Sequence, residues 1–505
     1  MTNHLVYQMK RLDHLAMIAH DVGQIFKFLG LVSLVPFIVL AIFREWNLIL
    51  PMAAVPVTFL LLWRLILLIP KKDFESPLST TLVAVSISWV MIALVGALPF
   101  MLAMHMSYTD SIFEAMAGWT GTAFSMIPSL DDTPNTLLFW RSFMQWIGGI
   151  GIIAFGISMR RKTRLSLFRL FRSEGKPEDL MSNAQSTSWR MWKIYIFLTA
   201  VFTGLVMLAG IPLWDSVNLV MVGISTGGFT LHSAGISYYH NPLLEILLIP
   251  VMIAGALPFK VFFLMYRGKL PDMFHDTIVR LMLFLMLAGS LFISLDLYIF
   301  GDISLATAFR EGVFCAVSAM STCGFQNSNL HFWATVPLAI LSMMIFIGGA
   351  MGSAAGGIKV NRVALAYDGV KWWFRRFFVS SRVMVPFRFE GKRLSKEISE
   401  LEISRNLLVI ALYVITIFSA TIVCLHLYIT SFHLDQVVFE IVSALSNTGM
   451  SVGFMTASSP VVIKWIFIVL MWLGRMEIVP VVILAIGIYK GVESELAKEV
   501  SVQSS

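Results

Sequence analysis

Charge is scarce in this chain. Asp, Glu, Lys and Arg make up 13% of its 505 residues while 57% are hydrophobic; a soluble domain carries about 25% charged residues, so an ordinary water-soluble globule is excluded. Apolar runs of about 20 residues recur instead, the length that crosses a bilayer as a helix. Cysteine is scarcer still. Cys315, Cys323 and Cys424 are scattered and odd in number, which offers neither a disulfide framework nor metal-ligand spacing. No His/Asp/Ser or metal cluster has catalytic spacing, so an enzyme is not expected, and His232 and His240 are expected at the outer surface. No extended soluble stretch is present, so any regulatory nucleotide is expected to bind a separate chain. The net charge of +7 does not imply a nucleic-acid partner, because the basic residues cluster in short segments between apolar runs. Arg160, Arg161, Lys162, Arg164, Arg169, Arg172 and Lys176 form one cluster, and Lys371, Arg375, Arg376 and Arg382 belong to another. That is the pattern of cytoplasmic loops. Lys10, Arg11 and two aspartates precede any long apolar run in Met1 to Phe26, which argues against a cleavable signal peptide.

What is present is a repeat. Four short stretches stand out: Thr120-Gly-Thr-Ala-Phe124, Ser225-Thr-Gly-Gly-Phe229, Ser321-Thr-Cys-Gly-Phe325 and Ser446-Asn-Thr-Gly-Met450. Each opens on a hydroxyl, has a small residue fourth (Ala123, Gly228, Gly324, Gly449) and closes on a bulky apolar residue. Counting back from the fourth residue, five positions earlier stand Gly118, Gly223, Ala319 and Ala444, and ten earlier three units carry Phe113, Phe314 and Phe439. Each stretch lies between a short apolar run and a long one, and each lies on the side poor in Lys and Arg. The repeats therefore run in one direction, which predicts four-fold pseudo-symmetry about an axis along the membrane normal rather than inverted repeats. From Met101 to Trp140 there is no basic residue but there are Asp110, Glu114, Asp131 and Asp132. An acidic outer mouth that concentrates cations is expected, with both termini cytoplasmic.

The predicted fold is an all-α polytopic membrane protein. It has ten transmembrane helices, arranged as four helix–pore loop–helix units plus two extra N-terminal helices. The expected divisions are 1–75 for the N-terminal helices and lead-in, 76–176 for unit 1, 177–270 for unit 2, 271–392 for unit 3 and 393–505 for unit 4. The spans expected after each loop lie near 137–158, 242–266, 336–365 and 460–488.

A helix–loop–helix dip that frees backbone carbonyls can replace a cation's hydration shell. Glycine suits such a loop because it reaches positive φ without a Cβ clash. The half-helix turns its negative end toward the pathway. Oxygen ligands without a carboxylate cage suit a monovalent ion better than Ca²⁺ or Mg²⁺. The candidate ion-binding residues are Thr120, Gly121, Thr122, Ala123, Ser225, Thr226, Gly227, Gly228, Ser321, Thr322, Cys323, Gly324, Ser446, Asn447, Thr448 and Gly449. Within one apolar span, Gly348, Gly349, Gly352, Gly356 and Gly357 fall close together, a strong helix-breaking signal. Close helix packing, the other reading of these glycines, calls for small residues about four apart.

Three further motifs carry a resemblance: Trp140-Arg-Ser-Phe-Met-Gln-Trp-Ile-Gly-Gly-Ile-Gly-Ile152, the glycine-rich Phe346–Lys359 segment, and Gly474-Arg-Met-Glu477. With the four loops they resemble the Trk/Ktr/HKT superfamily of potassium transporters. The two extra N-terminal helices and the Leu170–Lys176 segment resemble the bacterial TrkH branch. The resemblance implies potassium as the transported ion, bound at Thr122, Thr226, Gly227, Thr322, Cys323, Asn447 and Thr448. It implies a homodimer in the inner membrane with one pore per subunit, and a cytosolic nucleotide-binding partner of the TrkA type. It also implies that Gly348 to Gly357 form an intramembrane gating loop contacted by Arg475.

Arg475 has a second reading, an ion pair with Glu477 or another helix, although residues i and i+2 do not face each other on a regular helix. Lys359 is read as a cytoplasmic-end lysine that snorkels, and Arg310, Glu311, Glu114 and Glu440 as residues that orient the half-helices. One departure stands out. The resembled family usually has glycine where this chain has Ala123, and serine there accompanies sodium preference in the plant members. A sodium-permeable or weakly selective cation transporter is therefore an alternative, as is a non-transporting sensor on a degenerate pore fold.

Overall fold

The structure is a computed structural model that describes residues 2–70, 78–150, 184–266, 268, 275–301, 303–379, 387–389, 392–394, 396–428 and 430–486. The basic cluster at 160–176, Arg382 and residues 151–158 of the span expected near 137–158 lie outside the described residues. Apart from one antiparallel hairpin, Phe387–Phe389 against Lys392–Leu394, the described elements are helices.

The chain enters through α1 (Thr2–Val32), α2 (Pro36–Phe43) and α3 (Ile49–Ile66). Four units follow, each a long helix, a half-helix, a loop and a returning helix. Unit 1 is α4 (Leu78–Gly96) with α5 (Leu98–Met104), half-helix α6 (Tyr108–Thr120) and α7 (Asn135–Ile150). Unit 2 is α8 (Ala184–Met207), half-helix α9 (Leu213–Ile224), α10 (Pro242–Ala256) and α11 (Phe259–Tyr266). Unit 3 is α12 (Thr277–Phe300), half-helix α13 (Leu305–Ser321), α14 (Thr335–Ile347) and α15 (Val360–Phe377). Unit 4 is α16 (Lys396–Leu427), half-helix α17 (Leu434–Leu445), α18 (Val461–Arg475) and α19 (Val479–Ile486).

Among the described residues six helices are long and apolar enough to cross a membrane, and eight if each of two sharply bent pairs counts as one span. The other two expected spans are α7, which reaches the edge of the described residues, and the span near 336–365, which is broken between α14 and α15. The bends have local causes. Between α10 and α11 the direction turns by 104° at Leu257-Pro258, where proline removes a backbone donor and disfavours helical geometry in the residue before it. Between α18 and α19 it turns by 110°, with Glu477 and Ile478 both left-handed at φ 56° and 63°, just ahead of Pro480.

The half-helices form the centre. Every residue of α6 from Ser111 to Thr120 is buried, as is every residue of α17 from Gln436 to Leu445 except Val438. Long apolar helices surround them and expose Leu, Ile and Phe outward, as a lipid-facing surface requires. In units 1, 2 and 4 a glycine of the returning helix lies directly on the backbone carbonyl of a residue ending the half-helix. Gly148 meets Trp119, Gly255 meets Ile224 and Gly474 meets Leu445, and a Cβ at any of them would collide. Close approach of backbones through small residues is how helices associate without water. The corresponding residue of unit 3 is Gly349, and there the helix is broken.

Candidate ion pathway

All four half-helices end in the same backbone motif. The second loop residue is left-handed in each, with φ 72° at Gly121, 54° at Thr226, 54° at Thr322 and 53° at Asn447. Its N–H returns to the carbonyl three residues back, and the third residue's N–H returns to the carbonyl five back. The latter bonds are Thr122 to Ala117 (2.8 Å), Gly227 to Val222 (2.9 Å), Cys323 to Ser318 (2.9 Å) and Thr448 to Ser443 (2.9 Å). This is a Schellman closure. A left-handed β-branched residue costs roughly 1–2 kcal/mol, so Thr226 and Thr322 hold strain that the surrounding packing maintains. The opening hydroxyls of three loops bond backward into their own half-helix: Thr120 Oγ1 to the Met116 carbonyl (2.7 Å), Ser225 Oγ to Val222 (3.0 Å) and Ser321 Oγ to Ser318 (3.1 Å).

The loops converge. At the fourth position Gly228, Gly324 and Gly449 have φ of 80°, 91° and 82°, whereas Ala123 is not left-handed. The Ala123 side chain sits among the three glycines. A Cβ built on Gly228 would lie 2.7 Å from the Ala123 methyl and one on Gly324 2.8 Å from it, while one on Gly449 would lie 2.5 Å from the Ala123 Cα. Ala123 N–H donates to the Thr448 carbonyl (3.1 Å), and Asn447 Nδ2 donates to the Met471 carbonyl (2.8 Å) and reaches Thr122 Oγ1 (3.3 Å). All sixteen candidate residues are buried except half-buried Ala123.

Buried carboxylates anchor the loop exits. Glu114, on α6, accepts the Met126 N–H (2.7 Å) and pairs with Arg141 of α7 at 2.7 Å, both side chains almost fully buried. Arg141 also donates to the Thr230 carbonyl (2.9 Å) and lies 4.0 Å over the Phe229 ring, so it ties the exits of loops 1 and 2 together. Glu440, on α17, accepts the N–H groups of Val452, Gly453 and Phe454 on one oxygen. Glu245 of α10 takes Arg310 (2.6 Å) and Asn327 (2.8 Å). Arg141, Glu245 and Asn327 were not anticipated from the sequence; a charged residue inside an apolar span is the signal that marks Arg141.

Of the four acidic residues of the expected mouth, two are paired with a lysine or arginine. Glu114 is buried against Arg141, and Asp110 pairs with Lys464 (2.5 Å). Asp131 pairs with the ring of His232 (2.9 Å), and this hydrogen bond holds its carboxyl below the usual carboxylate range.

Beneath the loops lies the glycine-rich segment between α14 and α15. Gly348, Gly352 and Gly357 are left-handed, while Gly349 and Gly356 are not. The segment is docked on α10 through Ala350 N–H to Ala256 (3.1 Å) and Ala354 N–H to Gly255 (3.1 Å). It is docked on the loops through Gly356 N–H to Thr322 Oγ1 (2.6 Å) and Gly357 N–H to the Ser446 carbonyl (3.1 Å). Arg475 donates to the Ala354 carbonyl (3.3 Å) and to the carbonyls of Gly148 and Gly149, which joins the segment to α7. Lys359, which the sequence suggested would reach for the membrane surface, is only 8% exposed and turns back to the Ala355 carbonyl. Glu477 pairs with Arg362 at 2.5 Å. A cavity of about 130 Å³ lies here, lined by Asn447, Gly356, Lys359, Arg362, Arg475 and Glu477 among others.

Four half-helices that stop at a common ring, each followed by a short loop and a returning helix, define a polytopic α-helical membrane protein of helix–pore loop–helix units. The chain belongs to the TrkH cation transport protein family, whose family model matches residues 52–491. An uncharacterized cation transporter of Methanocaldococcus jannaschii is 29% identical over 94% of this chain and 95% of its own length. The Trk system potassium uptake protein TrkH of Halomonas elongata is 29% identical over 78% of this chain and 83% of its own. The crystal structure of the potassium transporter TrkH from Vibrio parahaemolyticus superposes with a TM-score of 0.82 at 24% identity, covering 93% of this chain and 98% of that one, which establishes a shared fold. These relatives are ion transporters, not enzymes.

Proposed function

We propose that this chain takes potassium ions up across the cytoplasmic membrane, in a channel-like manner driven by the membrane potential, through the ring of four loops. The observation that carries this reading is the four-fold recurrence of one left-handed closure around a common centre, in a family whose named relatives take up potassium. In this reading Thr122, Thr226, Gly227, Thr322, Cys323, Asn447 and Thr448 supply the ion's oxygen ligands. Thr448 Oγ1 and Asn447 Oδ1 are buried and have no hydrogen-bond partner among the described residues, a condition a bare cation relieves. The segment Gly348 to Gly357, held by Arg475, acts as the gate. A cytosolic nucleotide-binding partner of the TrkA type moves it, and the working unit is a homodimer with one pore per subunit and cytoplasmic termini. Rb⁺ or K⁺ uptake in a transport-deficient cell, dependent on membrane potential, is the test. Absence of any ion flux from reconstituted vesicles would overturn the proposal.

A sodium-permeable pathway is the second reading, and Ala123 favours it. It is the one fourth-position residue outside the left-handed region, and its N–H engages a carbonyl of the ring. Equal Na⁺ and K⁺ flux would decide for it.

A further inference from the structure

One buried side chain joins two of the loops. Gln145 of α7 is fully buried, its Nε2 donates to the Gly227 carbonyl (2.7 Å) and reaches the Thr122 carbonyl (3.4 Å), and its Oε1 accepts the Phe229 N–H (3.1 Å). It occupies the space that a side chain at residue 227 would fill, since a Cβ built there lies 2.5 Å from the Gln145 amide carbon. Gly227 is not left-handed. Glycine at 227 is thus explained by room for Gln145 rather than by backbone freedom. In the register set by Gly148, Gly255, Gly349 and Gly474, the other three units place Met252, Phe346 and Met471 where Gln145 stands, none of which carries a side-chain donor. In this register the clamp serves only the pair that includes loop 1, the loop without the fourth-position glycine; Gln326 makes a comparable two-ended bond to the Ser451 backbone beyond loop 4.

We infer that Gln145 is a positioning residue for ion selection, holding the Thr122 and Gly227 carbonyls at a spacing that loop 1 cannot set by its own backbone. The inference rests on the reading of the loops as the ion pathway. Selectivity among monovalent cations depends on the number and placement of carbonyl dipoles. A carbonyl accepts two hydrogen bonds or ligands, so Gly227 can take the Gln145 donor and still face an ion.

The test uses the full chain reconstituted in liposomes, with Rb⁺ and Na⁺ fluxes compared for wild type, Gln145→Leu and Gln145→Glu. Leucine removes donor and acceptor at similar size. Glutamate keeps the acceptor for Phe229 and loses the donor to the carbonyls. Both variants are expected to change the Rb⁺/Na⁺ flux ratio by roughly two- to tenfold, the range that one net hydrogen bond supplies. A merely structural role would lower both fluxes together and leave the ratio alone, and that result overturns the inference. If neither variant folds, Gly227→Ala, which displaces Gln145 from the loop side, is read in the same assay against the same two outcomes. A wild type that carries neither ion would instead overturn the transport reading of the loops.

Discussion

Replacing Ala123 by glycine tests whether the odd loop sets ion preference. The other three fourth-position residues hold φ of 80° to 91°, a conformation that costs an L-residue roughly 1–2 kcal/mol and glycine almost nothing. Glycine therefore makes the left-handed arrangement accessible to loop 1. The opposing effect is loss of the Ala123 N–H bond to the Thr448 carbonyl, 3.1 Å in the present conformation, worth about 0.5–1.5 kcal/mol net. For alanine both effects oppose the turned loop and for glycine only the lost hydrogen bond does, so the substitution raises the turned population by a factor of about 5 at the lower figure. Turning also frees the Thr448 carbonyl for an ion and removes a methyl from among Gly228, Gly324 and Gly449. Ala123→Gly should raise the K⁺/Na⁺ flux ratio up to about fivefold in proteoliposomes. An unchanged ratio with normal total flux would refute the reasoning, because it would mean that the handedness of this residue does not matter to the ion. Ala123→Val is the converse: larger side-chain bulk at the same point should cut both fluxes.

Other expectations follow from the buried contacts. Arg141→Met leaves Glu114 without its cation and should cost about 3–5 kcal/mol in unfolding measurements, most of it recovered in Glu114→Gln/Arg141→Met; a single variant within about 1 kcal/mol of wild type would contradict this assignment. Arg475→Gln removes the donors to Ala354 and Gly148 and should raise partner-independent flux by roughly fivefold or more, if breaking them costs the docked segment about 1–3 kcal/mol. Flux that stays low in a folded variant counts against a gating role. Gly356→Ala places a methyl on the Ser446 carbonyl, so the segment must undock; leak current in vesicles measures it, and wild-type gating would argue that the docked position is not the closed one.

The helix–loop–helix repeat was legible because it is written in composition. Apolar runs, a hydroxyl–x–x–small spacing and basic loops each act through local or solvent-level physics, so they survive in one dimension. The break at Gly348 to Gly357 was legible for the same reason, since paired glycines fail as helix interior wherever they stand. The left-handed Thr226, Thr322 and Asn447 were not, because threonine is a poor choice for that conformation and only the surrounding packing enforces it. Nor were the bends at Leu257 and Glu477 placed, although Pro258 and Pro480 mark the first and second in retrospect.

The site divides along the same line. By itself the sequence determined the class of membrane protein, the four loops, the glycine-rich break beneath them and the singularity of Ala123. Tertiary structure alone decided which polar groups meet. Gln145 reaches residue 227, Glu245 reaches Arg310 and Asn327, and Lys464 reaches Asp110, across separations in sequence that no periodicity encodes. In a low-dielectric interior a buried charge or amide must find a partner. The chain shows that such a group needs one; only the packed fold places the partner beside it.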